Sequence, residues 1–139
     1  MSEYDSKYLF NILNNINTNP DNIKTATNYI YYHRDNYKNV IFDMWKQFFF
    51  IPGNNNTTLL HLFYVLHEVL LVSTFKDKYD YIYLFASILN SIIDYLSIKL
   101  KDIKYLLKIK EIINVWQELM IFSNNYINEL KNIITKNVR

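Results

Sequence analysis

A single glycine, Gly53, is the feature that most restricts the folds open to this chain of 139 residues. Loops that cradle phosphate groups, such as GxxxxGK and GxGxxG, need several glycines, because only glycine lets the backbone approach a phosphate so closely. Antiparallel sheets with many tight turns also depend on glycine. The sequence therefore excludes nucleotide-binding loops of this kind, disfavours an all-β fold and favours helices.

Apolar residues recur at helical spacing along almost the whole chain and predict seven helices. The predicted helices cover Tyr4–Ile16, Ile23–Ile30, about 37–49, Leu59–Leu70, about 79–96, about 102–120 and Tyr126–Ile134. The fifth and sixth are either separate or one broken helix, since the join near Lys99 to Lys104 is weakly marked. We predict an all-α fold, a bundle or short solenoid, in one domain over residues 4–137.

Polar residues mark several helix ends. The first helix should end in the polar run from Asn17 to Pro20, and the second near His33 to Asp35. Side-chain oxygens that accept from first-turn N–H groups favour helix starts. They predict N-caps at Asp21 or Asn22 for the second helix, at Thr57 or Thr58 for the fourth, and at Ser123 for the last.

The most apolar stretch, Leu59–Val72, predicts a buried central helix because it is apolar nearly all round. It is shorter than the roughly 20 residues that a bilayer-spanning helix needs. The first residues lack the apolar segment of a signal peptide. We expect a soluble, intracellular protein.

Side chains suited to catalysis or metal binding are few. The three histidines, His33, His61 and His67, lack metal-ligand spacing, and we interpret them as satisfied histidines in or beside the core. The chain has no cysteine, and its serines lack a GxSxG turn. We expect no enzyme activity, no metal and no cofactor.

Two groups of side chains are suited to binding. Lys104 and Lys108 lie one turn apart on the sixth predicted helix, where they would receive a phosphate or form a solvated lysine face. The four tyrosines near the second helix are more than one buried helix face can hold. They either pack in the core or form part of a peptide-binding groove. These are Tyr29, Tyr31, Tyr32 and Tyr37.

Several segments, taken in order, resemble the RNA polymerase II C-terminal-domain-interacting domain, the CID or RPR domain. Tyr31–Arg34 and Val40–Lys46 look like its "HHR...IV..VW" stretch. Leu62–Val69 is similar to its "LYLANDV" motif. Ile113–Glu118 and Ile127–Lys131 look like its "LNIWQER...FI..LK" ending. The resemblance is greatest to the "regulation of nuclear pre-mRNA domain" subgroup.

This resemblance implies a right-handed superhelix of seven to eight helices, related to VHS and ENTH domains. It also implies a nuclear protein that binds phosphorylated YSPTSPS heptads of the polymerase's largest subunit, in transcription termination and pre-mRNA 3′-end processing. The family's groove is formed by the second, fourth and penultimate helices. We expect neither a direct nucleic-acid partner nor a membrane partner, and we expect any dimer to form outside the domain or at its end.

The resemblance implies a peptide-binding set of nine residues in this chain. Tyr64 matches the groove tyrosine, Glu68 the acid that accepts from the heptad tyrosine hydroxyl, and Val115 an aliphatic wall. The implied set is Asn19, Thr25, Tyr64, His67, Glu68, Leu71, Lys108, Glu111 and Val115.

Four positions depart from the family pattern where the peptide should bind. His67 and Val72 replace two asparagines, and Phe75 occupies a basic position. Glu111 stands where the family has its phosphoserine-binding arginine, and a carboxylate repels phosphate. Lys108, one turn earlier, would substitute as a point charge without a bidentate contact.

Two other functions remain open from the sequence: a trafficking adaptor of the VHS or ENTH type, and a structural interaction module with a degenerate groove. Membrane binding of the ENTH type uses a basic amphipathic segment near the N-terminus. The first ten residues hold one lysine, Lys7, against two acids, Glu3 and Asp5, which disfavours a membrane. The phosphorylation state that is bound also remains open.

Overall fold

The computed structural model describes residues 3–16 and 19–138, and within these residues it is all helical, with eight helices and no strand. The helices are α1 (Ser6–Asn14), α2 (Asp21–Tyr32), α3 (Arg34–Phe49), α4 (Asn56–Phe75), α5 (Asp80–Ala86), α6 (Leu89–Lys99), α7 (Ile103–Glu118) and α8 (Asn124–Asn137). The all-α prediction is confirmed. α1 ends at Asn14, earlier than the predicted end in the run from Asn17 to Pro20, of which Asn17 and Thr18 lie outside the described residues.

The predicted fifth helix, about 79–96, is wrong, because the structure has two helices there. The helical structure is interrupted at Ser87 and Ile88, and Ile88 has non-helical backbone dihedrals (φ −125°, ψ 6°). The Tyr126 hydroxyl donates to the carbonyl of Ala86 (3.2 Å). A distant side chain thus satisfies a backbone group that the end of α5 leaves open.

The starts of α2 and α3 also differ from the prediction. The N-cap of α2 is Pro20, which makes no side-chain capping bond, so the predicted caps at Asp21 or Asn22 are wrong. The Asn19 side chain accepts from the Asp21 N–H (2.9 Å). α3 begins at Arg34 instead of near residue 37, and only His33 separates it from α2.

Side-chain caps define the starts of α4 and α8. Asn55 accepts from the Thr58 N–H (2.8 Å), so the predicted caps at Thr57 or Thr58 are wrong. Ser123 accepts from the Tyr126 N–H (3.2 Å), which confirms the predicted cap of the last helix. Both caps satisfy donors that a helix start leaves open.

The chain divides into two compact units, which we call the N-unit (Met1–Phe85) and the C-unit (Ala86–Arg139). In the N-unit, α4 packs against α2 and α3. Trp45 is fully buried, and its indole N–H donates to the carbonyl of Leu62 (3.0 Å). Tyr81 is buried too and donates to the carbonyl of Ile30 (2.8 Å). The first bond ties α3 to α4, and the second ties α5 to α2.

The prediction that this apolar segment is too short to span a bilayer is wrong, because the helix that contains it is longer than the predicted segment Leu59–Val72. α4 has 20 residues and is long and apolar enough to cross a membrane. Half of its most apolar window is buried inside the protein. Nine of its residues are buried, which confirms the predicted central helix.

In the C-unit, α8 packs against α6 and α7. Trp116 is fully buried, as Trp45 is, and its ring meets Phe122 edge-on at 5.8 Å. The Asn137 amide donates to both Asp94 Oδ1 (2.9 Å) and Ser97 Oγ (2.7 Å), which ties the end of α8 to α6.

Candidate peptide-binding faces

The buried helix α4 has one accessible stripe, and four predicted site residues lie on it. Tyr64, His67 and Leu71 are half-buried and Glu68 is exposed, whereas the residues between them are buried. Spacings of three, four and seven residues place side chains on one side of a helix. We call Tyr64, His67, Glu68 and Leu71 the α4 face.

Contacts at the start of this stripe connect it to the segment that follows α1. His61 lies one turn before Tyr64, and the two rings stack with centroids 6.1 Å apart. His61 Nδ1 lies 3.2 Å from the carbonyl oxygen of Ile16. Asn19 is three residues further along, hence within about 11 Å of Ile16. The start of the α4 face and the predicted contact Asn19 therefore lie in the same part of the N-unit.

The two predicted polar contacts of α2 are exposed and also serve the helix itself. Asn19 accepts from the Asp21 N–H, and Thr25 Oγ1 donates to the carbonyl of Asp21 (3.0 Å). The amide N–H₂ of Asn19 and the acceptor lone pairs of Thr25 are not used by these two bonds. Those groups are what a peptide on α2 would meet.

Burial determines the protonation state of His67. Desolvation lowers the pKa of His67 from its ordinary 6.5 to about 4. The ring is therefore neutral near pH 7 and carries one N–H donor and one nitrogen acceptor. The asparagine that it replaces in the resembled family has two N–H donors and a carbonyl acceptor, so the neutral ring retains one donor and one acceptor.

The remaining predicted residues lie on α7 in the C-unit. Lys108 and Glu111 are exposed, and Val115 is half-buried; their spacing places them on one side of the helix. We call these three the α7 face. Lys104, one turn before Lys108, is exposed with its Nζ 5.4 Å from the Tyr105 ring centroid. Opposite charges thus occupy successive turns of one accessible face.

Two departures from the family pattern lie at the end of the α4 stripe. Val72 is half-buried and Phe75 is exposed. An exposed phenylalanine offers an apolar contact where the family has a basic side chain. It supplies no charge for a phosphate.

Sequence reasoning missed a further group of polar atoms at the corner between α2 and α3. His33 was interpreted as satisfied, but it is buried with no hydrogen-bond partner for Nε2 among the described residues. The excess of tyrosines in this segment was the only signal, because Tyr32 and Tyr37 are exposed rather than core. In the described part of the chain no three His, Cys, Asp or Glu side chains group as metal ligands.

Comparison with known families agrees with this arrangement. The model of the CID domain family matches residues 7–130, which include both faces and both units' buried tryptophans. None of the curated proteins matches the chain.

Proposed function

This chain belongs to the CID domain family, interaction domains that bind the C-terminal tail of RNA polymerase II, and we propose that it binds phosphorylated YSPTSPS heptads of that tail. The observation that carries this proposal is the family match over residues 7–130. We further propose a non-enzymatic, nuclear role in transcription termination and pre-mRNA 3′-end processing, nearest to the "regulation of nuclear pre-mRNA domain" subgroup.

The α4 face supports a contact with the heptad tyrosine. Glu68 offers an exposed carboxylate one turn from Tyr64, and a carboxylate accepts strongly from a phenol O–H. Leu71, half-buried on the same stripe, supplies apolar surface for the ring. His67, also half-buried on this stripe, adds a neutral polar ring to the same surface.

The α7 face supports a contact with the phosphate, by charge alone. Lys108 and Lys104 supply two point charges, and Glu111 opposes them with one. A phosphoserine carries about −1.5 to −2 charges near pH 7. Because all three side chains are exposed, salt screens this interaction strongly. We therefore propose weak, salt-sensitive phosphate binding.

Fluorescence anisotropy tests the proposal directly. Labelled heptad peptides, unphosphorylated or phosphorylated at the second, fifth or seventh position, are titrated at low salt. We expect saturable binding, tighter for at least one phosphorylated peptide. If none of the peptides saturates, the proposed function is wrong.

A charge reversal tests the assigned lysine. Lys108→Glu should weaken phosphopeptide binding about tenfold, because it replaces attraction by repulsion at one contact. Lys136→Glu is the matched control, since Lys136 is exposed in the last turn of α8 in the same unit. Circular dichroism should show both variants folded. Equal affinities for the two variants would show that Lys108 does not meet the phosphate.

One observation favours a second candidate, a structural interaction module whose groove no longer binds the tail. Glu111 and Phe75, both exposed, replace two basic side chains of the family pattern. Such a module should self-associate, which sedimentation velocity on the purified chain measures. Saturable binding of a phosphorylated heptad by a monomer would exclude this candidate.

A further inference from the structure

A cavity of about 680 Å³ lies in the N-unit at the corner where α2 ends and α3 begins. Its walls include Tyr4, Tyr32, His33, Arg34 and Tyr37. The Tyr4 and Tyr37 rings stack at 4.5 Å, and the Tyr4 ring meets His33 edge-on at 5.6 Å. Aromatic rings therefore form about half of the wall, and charged or polar side chains form the rest.

Three buried polar atoms of this wall have no hydrogen-bond partner among the described residues. They are Tyr4 Oη, His33 Nε2 and Arg34 Nε. Only one other side-chain atom in the described part of the chain shares this state, Ser73 Oγ. An unsatisfied buried polar atom costs about 1 to 3 kcal/mol, so a ligand that bonds to all three atoms of this cavity would be stabilised.

All three atoms are suited to donate hydrogen bonds. Burial raises the pKa of Tyr4, so its hydroxyl keeps its proton. Burial lowers the pKa of His33, and a neutral ring offers one N–H at Nε2 in one of its tautomers. Arg34 Nε is always a donor. Arg34 Nε therefore needs an acceptor, and a ligand with several acceptor atoms satisfies all three.

The guanidinium of Arg34 is held in place by other contacts. Its Nη1 donates to the carbonyl of Tyr31 (3.1 Å), and its Cζ lies 4.3 Å from the centroid of the Tyr31 ring. Nε lies 3.8 Å from Asp35 Oδ1, an ion pair too long for a hydrogen bond. The Nε–H group is thus held in a fixed orientation but donates no hydrogen bond within the described residues.

The start of α3 adds to the preference for an acceptor. α3 has 16 residues and begins at Arg34, and its N-cap His33 makes no capping hydrogen bond. First-turn N–H groups and the positive end of the helix dipole both favour an oxyanion. Residues 34–37 of this turn all line the cavity.

The charges at the rim restrict which oxyanion fits. Among the described residues that line the cavity, Glu3 and Asp35 stand beside one formal cation, Arg34. The Asp35 side chain is 82% exposed, so solvent screens it. Two nearby carboxylates still disfavour a doubly charged phosphate more than a singly charged group. A cation would meet Arg34 and leave the three donors unsatisfied.

We propose that this cavity binds a carboxylate carried on an aromatic body. The carboxylate accepts from Tyr4 Oη, His33 Nε2 and Arg34 Nε at the start of α3, and the ring packs against the exposed Tyr32 and Tyr37. This site involves neither the α4 face nor the α7 face. It therefore stands or falls independently of heptad binding.

Four small probes distinguish the ligand classes in a ¹H–¹⁵N NMR titration of the whole chain. Benzoate should saturate at millimolar concentration and shift the amides of residues 32–37. Benzamide, which keeps the shape without the charge, should bind at least fivefold more weakly. Tighter binding of phenyl phosphate or of benzyltrimethylammonium would overturn the carboxylate assignment, and no saturation by benzoate would overturn the site.

Single-atom changes test the assigned donors. Tyr4→Phe removes only Oη and should weaken benzoate binding about three- to tenfold, as expected for one lost hydrogen bond. Tyr8→Phe is the matched control, since Tyr8 is an exposed tyrosine of α1 outside the cavity wall. Arg34→Lys keeps the charge, removes Nε and should weaken binding to a similar extent. Benzoate affinity unchanged by both Tyr4→Phe and Arg34→Lys would overturn the proposal.

Discussion

The α4 face and the α7 face differ in how the protein supports them. Side chains of the α4 face are mostly half-buried on a helix whose other sides form the core of the N-unit. On the α7 face, Lys108 and Glu111 stand exposed, with solvent around both charges. The α4 face is thus shaped by packing, so its changes should affect stability and protonation. Changes at Lys108 and Glu111 should affect charge alone.

The largest effect should come from removing the packing beneath α4. Trp45→Ala deletes a fully buried ring that stacks on Phe49 (4.8 Å) and donates to the Leu62 carbonyl. Truncation of a buried tryptophan costs about 3 to 5 kcal/mol, through lost contacts and a cavity. Urea denaturation followed by circular dichroism measures the loss of unfolding free energy.

Tyr83→Ala is the control for this change. Tyr83 lies on α5 in the same unit and is 74% exposed, so its truncation should change stability by no more than about 0.5 kcal/mol. Similar losses for both variants would contradict the view that α4 is fixed by Trp45.

A smaller effect should follow from protonation of His67. Its pKa is about 4 in the folded protein and 6.5 ordinarily, so the unfolded chain binds more protons between these values. The contribution of His67 to the free energy of unfolding should be fully present above pH 6.5 and should be lost as the pH falls through about 4. Partial exposure reduces the loss to about 1 to 3 kcal/mol. Urea denaturation at several pH values measures it.

His67→Gln should flatten this pH dependence without abolishing it. Glutamine keeps a polar group of similar size and does not titrate. Burial also lowers the pKa of His33. Its protonation therefore still lowers the free energy of unfolding of the variant as the pH falls. A pH dependence as steep as in the unmodified chain would show that His67 is not the group responsible.

Local patterns in the sequence predicted many of the helices, because apolar spacing and capping residues within a few positions determine where a helix is buried and where it begins. The apolar spacing predicted the burial of Trp45 and Trp116, and Ser123 predicted the start of α8. The break between α5 and α6 involves a bond from Tyr126 to Ala86, 40 residues away, which no local pattern contains. The break was missed for that reason.

The candidate sites divide in the same way. Helical spacing alone groups Tyr64, Glu68 and Leu71 on one side of α4, so their grouping was predictable. The cavity beside His33 depends on Tyr4, which lies 29 positions earlier, and on buried atoms whose lack of partners only the structure reveals. Sequence reasoning indicated an excess of tyrosines there but not the unpaired donors.

The smallest effect should come from the charge of the α7 face. Glu111→Arg changes a repelling charge to an attracting one and should tighten phosphorylated-heptad binding by up to about tenfold at low salt. Glu129→Arg is the matched control, since Glu129 is exposed on α8 in the same unit. Unphosphorylated heptads should be unaffected, and the gain should shrink as salt is added. An equal gain in affinity for both variants would show that the α7 face acts only through the net charge of the protein and does not contact the phosphate.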